Sequence, residues 1–258
     1  MSEFIPRHKK QYGQHFLKEQ WVLDEIFNRV KVDQNSSVFE IGGGAGFLTR
    51  TILAQPVARL WVFEIDSEWA DYLARQIKDA RLKILVQNIL DFNFRELAAD
   101  QPWVLLANLP YQVTFPILYL LQANRDLLKE GVIMVQEEVA QKLLKKSGRD
   151  YGYTSLYFQY YFELELLAKI PPTAFEPPPK VYSRLLYFKP RANLIKIPDE
   201  LNFWKFIKLC FKFPRRTLRN NLAQTHYNLS KLTPELLILR AQQLSIAELL
   251  GIWELIRD

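Results

Sequence analysis

Short apolar runs recur along the chain and alternate with longer segments in which apolar positions return every third or fourth residue. The runs at 38–41, 60–65, 82–86, 103–107, 131–136, 162–170 and 184–188 have the length and content of strands. Helical spacing marks 21–30, where Trp21, Val22, Ile26, Phe27 and Val30 share a face, a stretch beginning near Phe47, and 115–122. This alternation predicts an α/β fold on an open sheet. Such sheets bind ligands beyond the carboxyl ends of their strands, so the residues after each run are where chemistry is expected.

The first run leads into Gly42-Gly43-Gly44-Ala45-Gly46 before the helix near Phe47. Glycines at a strand-to-helix turn let a ligand approach the backbone and face a helix N-terminus. The pattern is not the dinucleotide fingerprint, because Phe47 occupies its last required glycine, and this disfavours a nicotinamide or flavin enzyme. A nucleoside ligand without a pyrophosphate fits, S-adenosylmethionine being the common one. Glu64, near the end of the second run, lies about 20 residues on, where an acid accepts from both ribose hydroxyls. Asp66 competes for that role but reads equally as a helix cap before Ser67 and Glu68. After the third run, Asn88 stands where a cofactor's adenine edge would lie.

The run 103–107 ends at Asn108-Leu109-Pro110-Tyr111, where Pro110 removes a ladder donor and fixes φ. A carboxamide, two carbonyls and an aromatic ring are thus delivered at a strand end. An aromatic amine is a poor nucleophile because its lone pair is delocalised into the ring. Acceptance from both amine hydrogens, by Asn108 Oδ1 and the carbonyl of Leu109 or Pro110, favours a pyramidal nitrogen that can attack. Tyr111 offers a face for the base, such stacking being worth roughly 1–3 kcal/mol. The alternative is a strand-to-helix turn in which Asn108 bonds its own backbone and Tyr111 packs in the core.

Composition narrows the classes. No apolar stretch approaches the roughly 18 residues of a membrane span, and the basic first ten residues lack the apolar segment of a secretory signal. Cys210 is the only cysteine, which excludes an internal disulfide or a cysteine metal cluster and fits a reducing cytosol. His15 has no Cys, Asp or Glu at ligand spacing and reads as a polar lid or packing residue, so no metal site is expected. The net charge of +6 points to an anionic partner.

After the 131–136 run a basic helix carrying Lys142, Lys145, Lys146 and Arg149 is expected, then a tyrosine-rich packing segment with Tyr151, Tyr153, Tyr157, Tyr160 and Tyr161. The 162–170 strand leads to a proline-stiffened loop that presents Phe175, and 184–188 is expected to close the sheet. The character changes near residue 190, which sets the expected domains at 1–190 and 191–258. From 201 to 234 there is no acid, and Lys205, Lys208, Lys212, Arg215, Arg216 and Arg219 form a positive stripe beside a face of Trp204, Ile207 and Phe211. Such a stripe suits nucleic-acid phosphates.

Six segments together resemble the ribosomal RNA adenine dimethyltransferases: Tyr-Gly-Gln-His-Phe-Leu at 12–17, Glu-Ile-Gly-Gly-Gly at 40–44, Glu-Ile-Asp at 64–66, Asn-Leu-Pro-Tyr at 108–111, the proline loop 171–181, and Arg-Arg-Thr-Leu-Arg-Asn-Asn-Leu at 215–222. The resemblance spans nearly the whole chain. It implies a Rossmann-like, seven-stranded class I methyltransferase sheet with a small all-α C-terminal domain. It also implies transfer of two methyls from S-adenosylmethionine to N6 of each of two adjacent adenines near the 3′ end of small-subunit rRNA. The setting implied is a cytoplasmic pre-ribosomal particle, with the protein acting as a monomer away from membranes. His15, Leu17, Gly42, Gly44, Glu64, Asn88 and Asn108 would line the cofactor pocket, and Tyr111 and Phe175 would sandwich the target adenine.

Departures from the family pattern fall at Asn88 for an aspartate, Ala107 for a glycine, Gln112 for an asparagine, Gly43 for a proline, and Tyr182 for an aspartate or asparagine. Two other readings remain. One is the erythromycin-resistance type of large-subunit methylase, against which Leu109 and the proline loop argue. The other is an assembly factor that has lost turnover, for which only Asn88 speaks.

Overall fold

In a computed structural model of the chain, residues 6–9 and 12–257 are described, and the rest of the basic start lies outside them. The order is β1 (Phe16–Leu17), α1 (Gln20–Arg29), β2 (Ser37–Ile41), α2 (Phe47–Leu53), β3 (Arg59–Glu64), α3 (Ser67–Gln76), β4 (Leu82–Val86), β5 (Trp103–Asn108), α4 (Thr114–Ala123) and β6 (Leu128–Gln136). There follow α5 (Glu137–Leu144), α6 (Tyr153–Tyr161), β7 (Phe162–Ile170), β8 (Phe175–Glu176), β9 (Ser183–Pro190), α7 (Glu200–Cys210), α8 (Leu218–Leu222), α9 (Pro234–Ile238) and α10 (Ile246–Ile256).

Two compact units emerge, one of residues 1–141 with 163–190 and one of 142–162 with 191–258. The expected division at 190 is one crossing between them, but 142–162 joins the second unit instead of the first.

The first unit holds the seven-stranded sheet, in the order β4-β3-β2-β5-β6-β9-β7. Its β2 pairs in parallel with β3 and β5, and β9 runs antiparallel to β6. The 184–188 run therefore does not close the sheet: β9 lies inside it, with β7 at the edge. All five β2 residues and the first five of β5 are buried, as expected of strands covered on both faces. The strand order reverses between β2 and β5, so their carboxyl ends, at Gly42 and Asn108, border the crevice in which open α/β sheets bind ligands. A two-stranded ribbon of β1 and β8 pairs Leu17 with Phe175.

In the second unit α7 buries Phe203, Trp204, Phe206, Ile207 and Cys210, and α10 buries Leu249, Leu250, Ile252, Trp253 and Ile256. The tyrosines of α6 pack as expected. The Trp204 indole donates to the Tyr161 hydroxyl at 2.8 Å, and that hydroxyl donates to Glu200 at 2.6 Å. The expected basic helix is shorter than its charge pattern suggested: α5 ends at Leu144, leaving Lys145, Lys146 and Arg149 beyond it. Among the described residues no helix is long and apolar enough to cross a membrane.

Candidate active site

At the end of β5 the buried ladder gives way to a half-buried Asn108. Its Nδ2 donates to the main-chain carbonyl of His15 at 2.8 Å. One face of the amide is thereby anchored, and Oδ1 remains as an acceptor. Of the two carbonyls open to an incoming amine, that of Pro110 accepts from Val113 N–H at 3.1 Å, while that of Leu109 stays outside this turn. Leu109 N–H is held by the Met134 carbonyl at 3.2 Å, which fixes the tetrapeptide to β6. The Tyr111 hydroxyl and the buried Ser183 hydroxyl are 2.6 Å apart. Burial raises the Tyr111 phenol, so it stays neutral. The alternative in which Asn108 bonds its own backbone is not what forms.

The N-terminal arm crosses the same crevice. His15 Nδ1 donates to the Pro177 carbonyl at 2.7 Å, which sets the tautomer, and its ring lies 5.9 Å from that of Tyr111 at 27°. His15 therefore ties the arm to both the tetrapeptide and the proline loop. Lys9 Nζ reaches the Asp66 carboxylate at 2.8 Å, and Asp66 also accepts from Glu68 N–H as the cap of α3. Asp66 is thus the cap, and the acid at the cavity is Glu64.

A cavity of about 290 Å³ is lined by His15, Gly42, Gly44, Glu64, Asn88 and Asn108, together with Leu109, Pro110 and Tyr111. Gly44 N–H donates to one Glu64 oxygen and Asp66 N–H to the other, both at 2.9 Å. Burial raises the Glu64 carboxyl, against the lowering effect of these N–H groups. Each oxygen keeps a second lone pair for a diol. Gly44, at φ +48, could not carry a side chain, since a Cβ would meet the Phe16 ring at 2.6 Å. At Gly42, with φ +80, the nearest atom to such a Cβ is the Asn108 carbonyl oxygen at 3.8 Å, so the turn is open on the cavity side. A fixed diol acceptor, an open glycine turn and a polar far end fit S-adenosylmethionine, in a volume near the lower end of roughly 300–1,000 Å³ for small-molecule sites. Among the described residues no group of three or more His, Cys, Asp or Glu is placed to hold a metal ion.

The sequence model of the ribosomal RNA adenine dimethylases matches residues 5–256. The chain belongs to the ribosomal RNA adenine dimethylase family. It is similar to the ribosomal RNA small subunit methyltransferase A of Laribacter hongkongensis, 38% identical over 86% of this chain and 84% of the relative. Another protein of that name, from Chlorobium phaeobacteroides strain DSM 266, is 32% identical over 96% of this chain and 91% of the relative. Among solved structures, a dimethyladenosine transferase from Plasmodium falciparum shares the fold, with a TM-score of 0.80 at 21% identity over 93% of this chain and 96% of that one. The α/β class, the seven-stranded methyltransferase sheet and the enzyme class with its methyl donor all agree with this dimethylase family.

Two residues expected in the dimethylase site are buried and do not line this cavity. Phe175 is 1% exposed and sits in the core beneath the β1–β8 ribbon, so its ring does not face the cavity. Its ladder partner Leu17 is buried in the same cluster. The pattern of alternating burial in a two-residue ribbon turns both inward. Among the described residues the aromatic neighbour of Tyr111 is His15.

Asn88, where dimethylases usually have aspartate, caps a short 3₁₀ turn by accepting from Leu90 N–H at 3.1 Å, and its amide donates to Asp91 Oδ2 at 3.1 Å. At Gly43, the place of the usual proline, a Cβ would lie 2.6 Å from Val62 and Leu73 side chains. Glu40, which the sequence places in the Glu-Ile-Gly-Gly-Gly segment without assigning it a role, is buried in β2 and accepts from the Thr49 hydroxyl at 2.7 Å. An acid inside an otherwise apolar run was its signal.

In the second unit Lys205, Lys208, Lys212, Arg215, Arg216 and Arg219 are all exposed. None is paired with a carboxylate among the described residues. The turn bearing Arg215 and Arg216 is shaped by buried Asn221, whose amide donates to the carbonyls of Cys210 at 2.8 Å and Phe213 at 3.2 Å while its oxygen accepts from Phe213 N–H at 3.2 Å. Its polar side chain between Asn220 and Leu222 gave no sequence signal for that role.

Proposed function

We propose that this dimethylase transfers two methyl groups in succession to N6 of each of two adjacent adenines near the 3′ end of small-subunit rRNA. The setting is a cytoplasmic pre-ribosomal particle, with the protein acting as a monomer. The observation that carries the reading is the anchored carboxamide of Asn108, whose free oxygen sits at the mouth of a cavity built for a nucleoside.

When bound, S-adenosylmethionine supplies an electrophilic methyl on a sulfonium, and Glu64 would hold its ribose with Asn88 at its adenine edge and Gly42 and Gly44 beneath it. The work left to the chain is alignment. Asn108 Oδ1 and the Leu109 carbonyl accept from the two amine hydrogens of the target adenine, which turns the nitrogen lone pair out of the ring plane. Tyr111 supports the base on one face. The chain would hold the amine nitrogen in line with the methyl carbon and its sulfur leaving group; the positive charge passes to nitrogen as the methyl is transferred and is relieved by loss of one amine proton to water. Positioning of this kind can contribute about 7–11 kcal/mol. The exposed cations Lys205, Lys208, Lys212, Arg215, Arg216 and Arg219 bind RNA phosphates.

The test is Asn108→Ala assayed for both methylation and RNA binding. Loss of methyl transfer with binding retained supports the enzyme, whereas equal activity removes Asn108 from the mechanism.

A further inference from the structure

The second unit has a concavity of its own, about 900 Å³, lined among others by Lys142, Arg149, Tyr151, Tyr153, Phe211 and Arg215. It joins two basic segments far apart in sequence. The cations at 142–149 have no part in the site above, and their own helix ends before most of them. Lys142 and Arg149, brought beside Arg215, form one cationic rim. Lys142, Arg149 and Arg215 are exposed, and none is paired with a carboxylate among the described residues. Asp150 is the acid among the lining residues.

The rim is held in place. The Ser155 hydroxyl donates to the Lys142 carbonyl at 2.6 Å, and Gln159 Nε2 donates to the Leu143 and Lys145 carbonyls, each at 2.7 Å. These bonds fasten the end of α5 to α6. On the other side Asn221 shapes the turn that carries Arg215. Between them the floor is aromatic: Tyr151 is buried edge-on against Phe211 at 5.7 Å, and half-buried Tyr153 has the Lys208 ammonium 5.1 Å from its ring centre. The main chain is open here, with nothing within 4 Å of a Cβ built on Gly148 or Gly152. Exposed cations on an anchored main chain around an aromatic floor, with room for a base and its sugar, suit single-stranded nucleic acid better than a duplex, whose bases are hidden in the stack.

We propose that this concavity holds an unstacked nucleotide from a single-stranded segment of the RNA substrate, with phosphates on Lys142, Arg149 and Arg215 and the base against Tyr153. The inference rests on the reading of the protein as an rRNA-modifying enzyme. It extends the phosphate-binding stripe, which already includes Arg215, with a seat for a base that is distinct from the cavity that takes the target adenine.

The test uses the full chain, a labelled single-stranded oligoribonucleotide of about 12 residues and the corresponding duplex, titrated at several salt concentrations. Lys142→Gln with Arg149→Gln should weaken the single strand about tenfold and make its salt slope shallower by about 1.4, about 0.7 for each cation removed. Tyr153→Leu should weaken the single strand at least fivefold and leave the duplex unchanged, stacking being worth roughly 1–3 kcal/mol per base. Tyr153→Trp should restore the affinity, and S-adenosylmethionine binding should not change in any variant. Variants that bind the single strand like the wild type, or a Tyr153→Leu loss equal on both RNAs, overturn this proposal alone. A wild-type protein that binds neither RNA overturns it together with the functional reading.

Discussion

The Asn108 side-chain amide and the His15 carbonyl, 2.8 Å apart, decide which end of the carboxamide faces the crevice. The NH₂ end is spent on the arm, so the oxygen is left for the substrate. Asn108→Ala should lower methyl transfer by on the order of a hundredfold, as loss of one placed polar group does elsewhere. Asn108→Asp should be equally impaired although it keeps an acceptor, because a carboxylate cannot donate to His15 and would turn from it. Single-turnover methylation measures both. A variant with aspartate that works normally would mean the anchor is dispensable.

Tyr111 has two separable parts. Its hydroxyl meets the fully buried Ser183 hydroxyl, and its ring faces the crevice. Tyr111→Phe should cost about 1–3 kcal/mol of stability by depriving a buried hydroxyl of its partner, with methyl transfer kept within severalfold. Tyr111→Ala should lose tenfold or more of the methylation rate through the missing stack. Denaturant unfolding and initial rates on the same preparations distinguish the two roles.

Asn88 and Asp91 are matched. The Asn88 amide donates to Asp91 Oδ2 at 3.1 Å, so restoring the family's aspartate by Asn88→Asp would set two carboxylates against each other. The single substitution should not tighten S-adenosylmethionine binding. Asn88→Asp combined with Asp91→Asn should tighten it severalfold, since a charged acceptor makes roughly twice as strong a bond. Calorimetric titration of the four proteins gives the coupling directly, and purely additive effects would refute it.

Burial pushes the Glu40 carboxyl up to about 8 despite the Thr49 hydroxyl, and it raises Glu64 too. An unfolded glutamate titrates near 4.3. Between these values the folded state binds more protons than the unfolded one, so stability falls as pH rises from about 5 to 8. Thermal unfolding should show that decline, and Glu40→Gln should flatten it without abolishing it, because Glu64 acts with the same sign. A Glu40→Gln profile as steep as the parent's would show that Glu40 is ionised throughout.

Much of this was legible from local pattern. The glycine turn, Glu64 and the tetrapeptide each follow a short apolar run, and the parallel sheet brings strand ends together whatever lies between them. Asp66 competed with Glu64 in the sequence, since both lie at the end of the same strand, and was read as at least as good a helix cap; the bond from Glu68 N–H makes it the cap. The burial of Leu17 and Phe175 was hidden because their pairing in a ribbon joins residues far apart in the chain, and no local period reveals such a contact. The same reason hid the second unit's composition: residues 142–162 fold with 191–258 through bonds such as that from the Tyr160 hydroxyl to the Ile195 carbonyl at 2.5 Å. Asn221 was invisible as an organiser because its partners are main-chain groups, which every sequence has.

Methylation of adenine N6 in small-subunit rRNA is measured by transfer of labelled methyl from S-adenosylmethionine to undermethylated small subunits, followed by nucleoside analysis. N6,N6-dimethyladenosine in the small-subunit rRNA is the predicted product. Label in another nucleoside, or no transfer at saturating S-adenosylmethionine despite salt-sensitive binding to the particle, would contradict it.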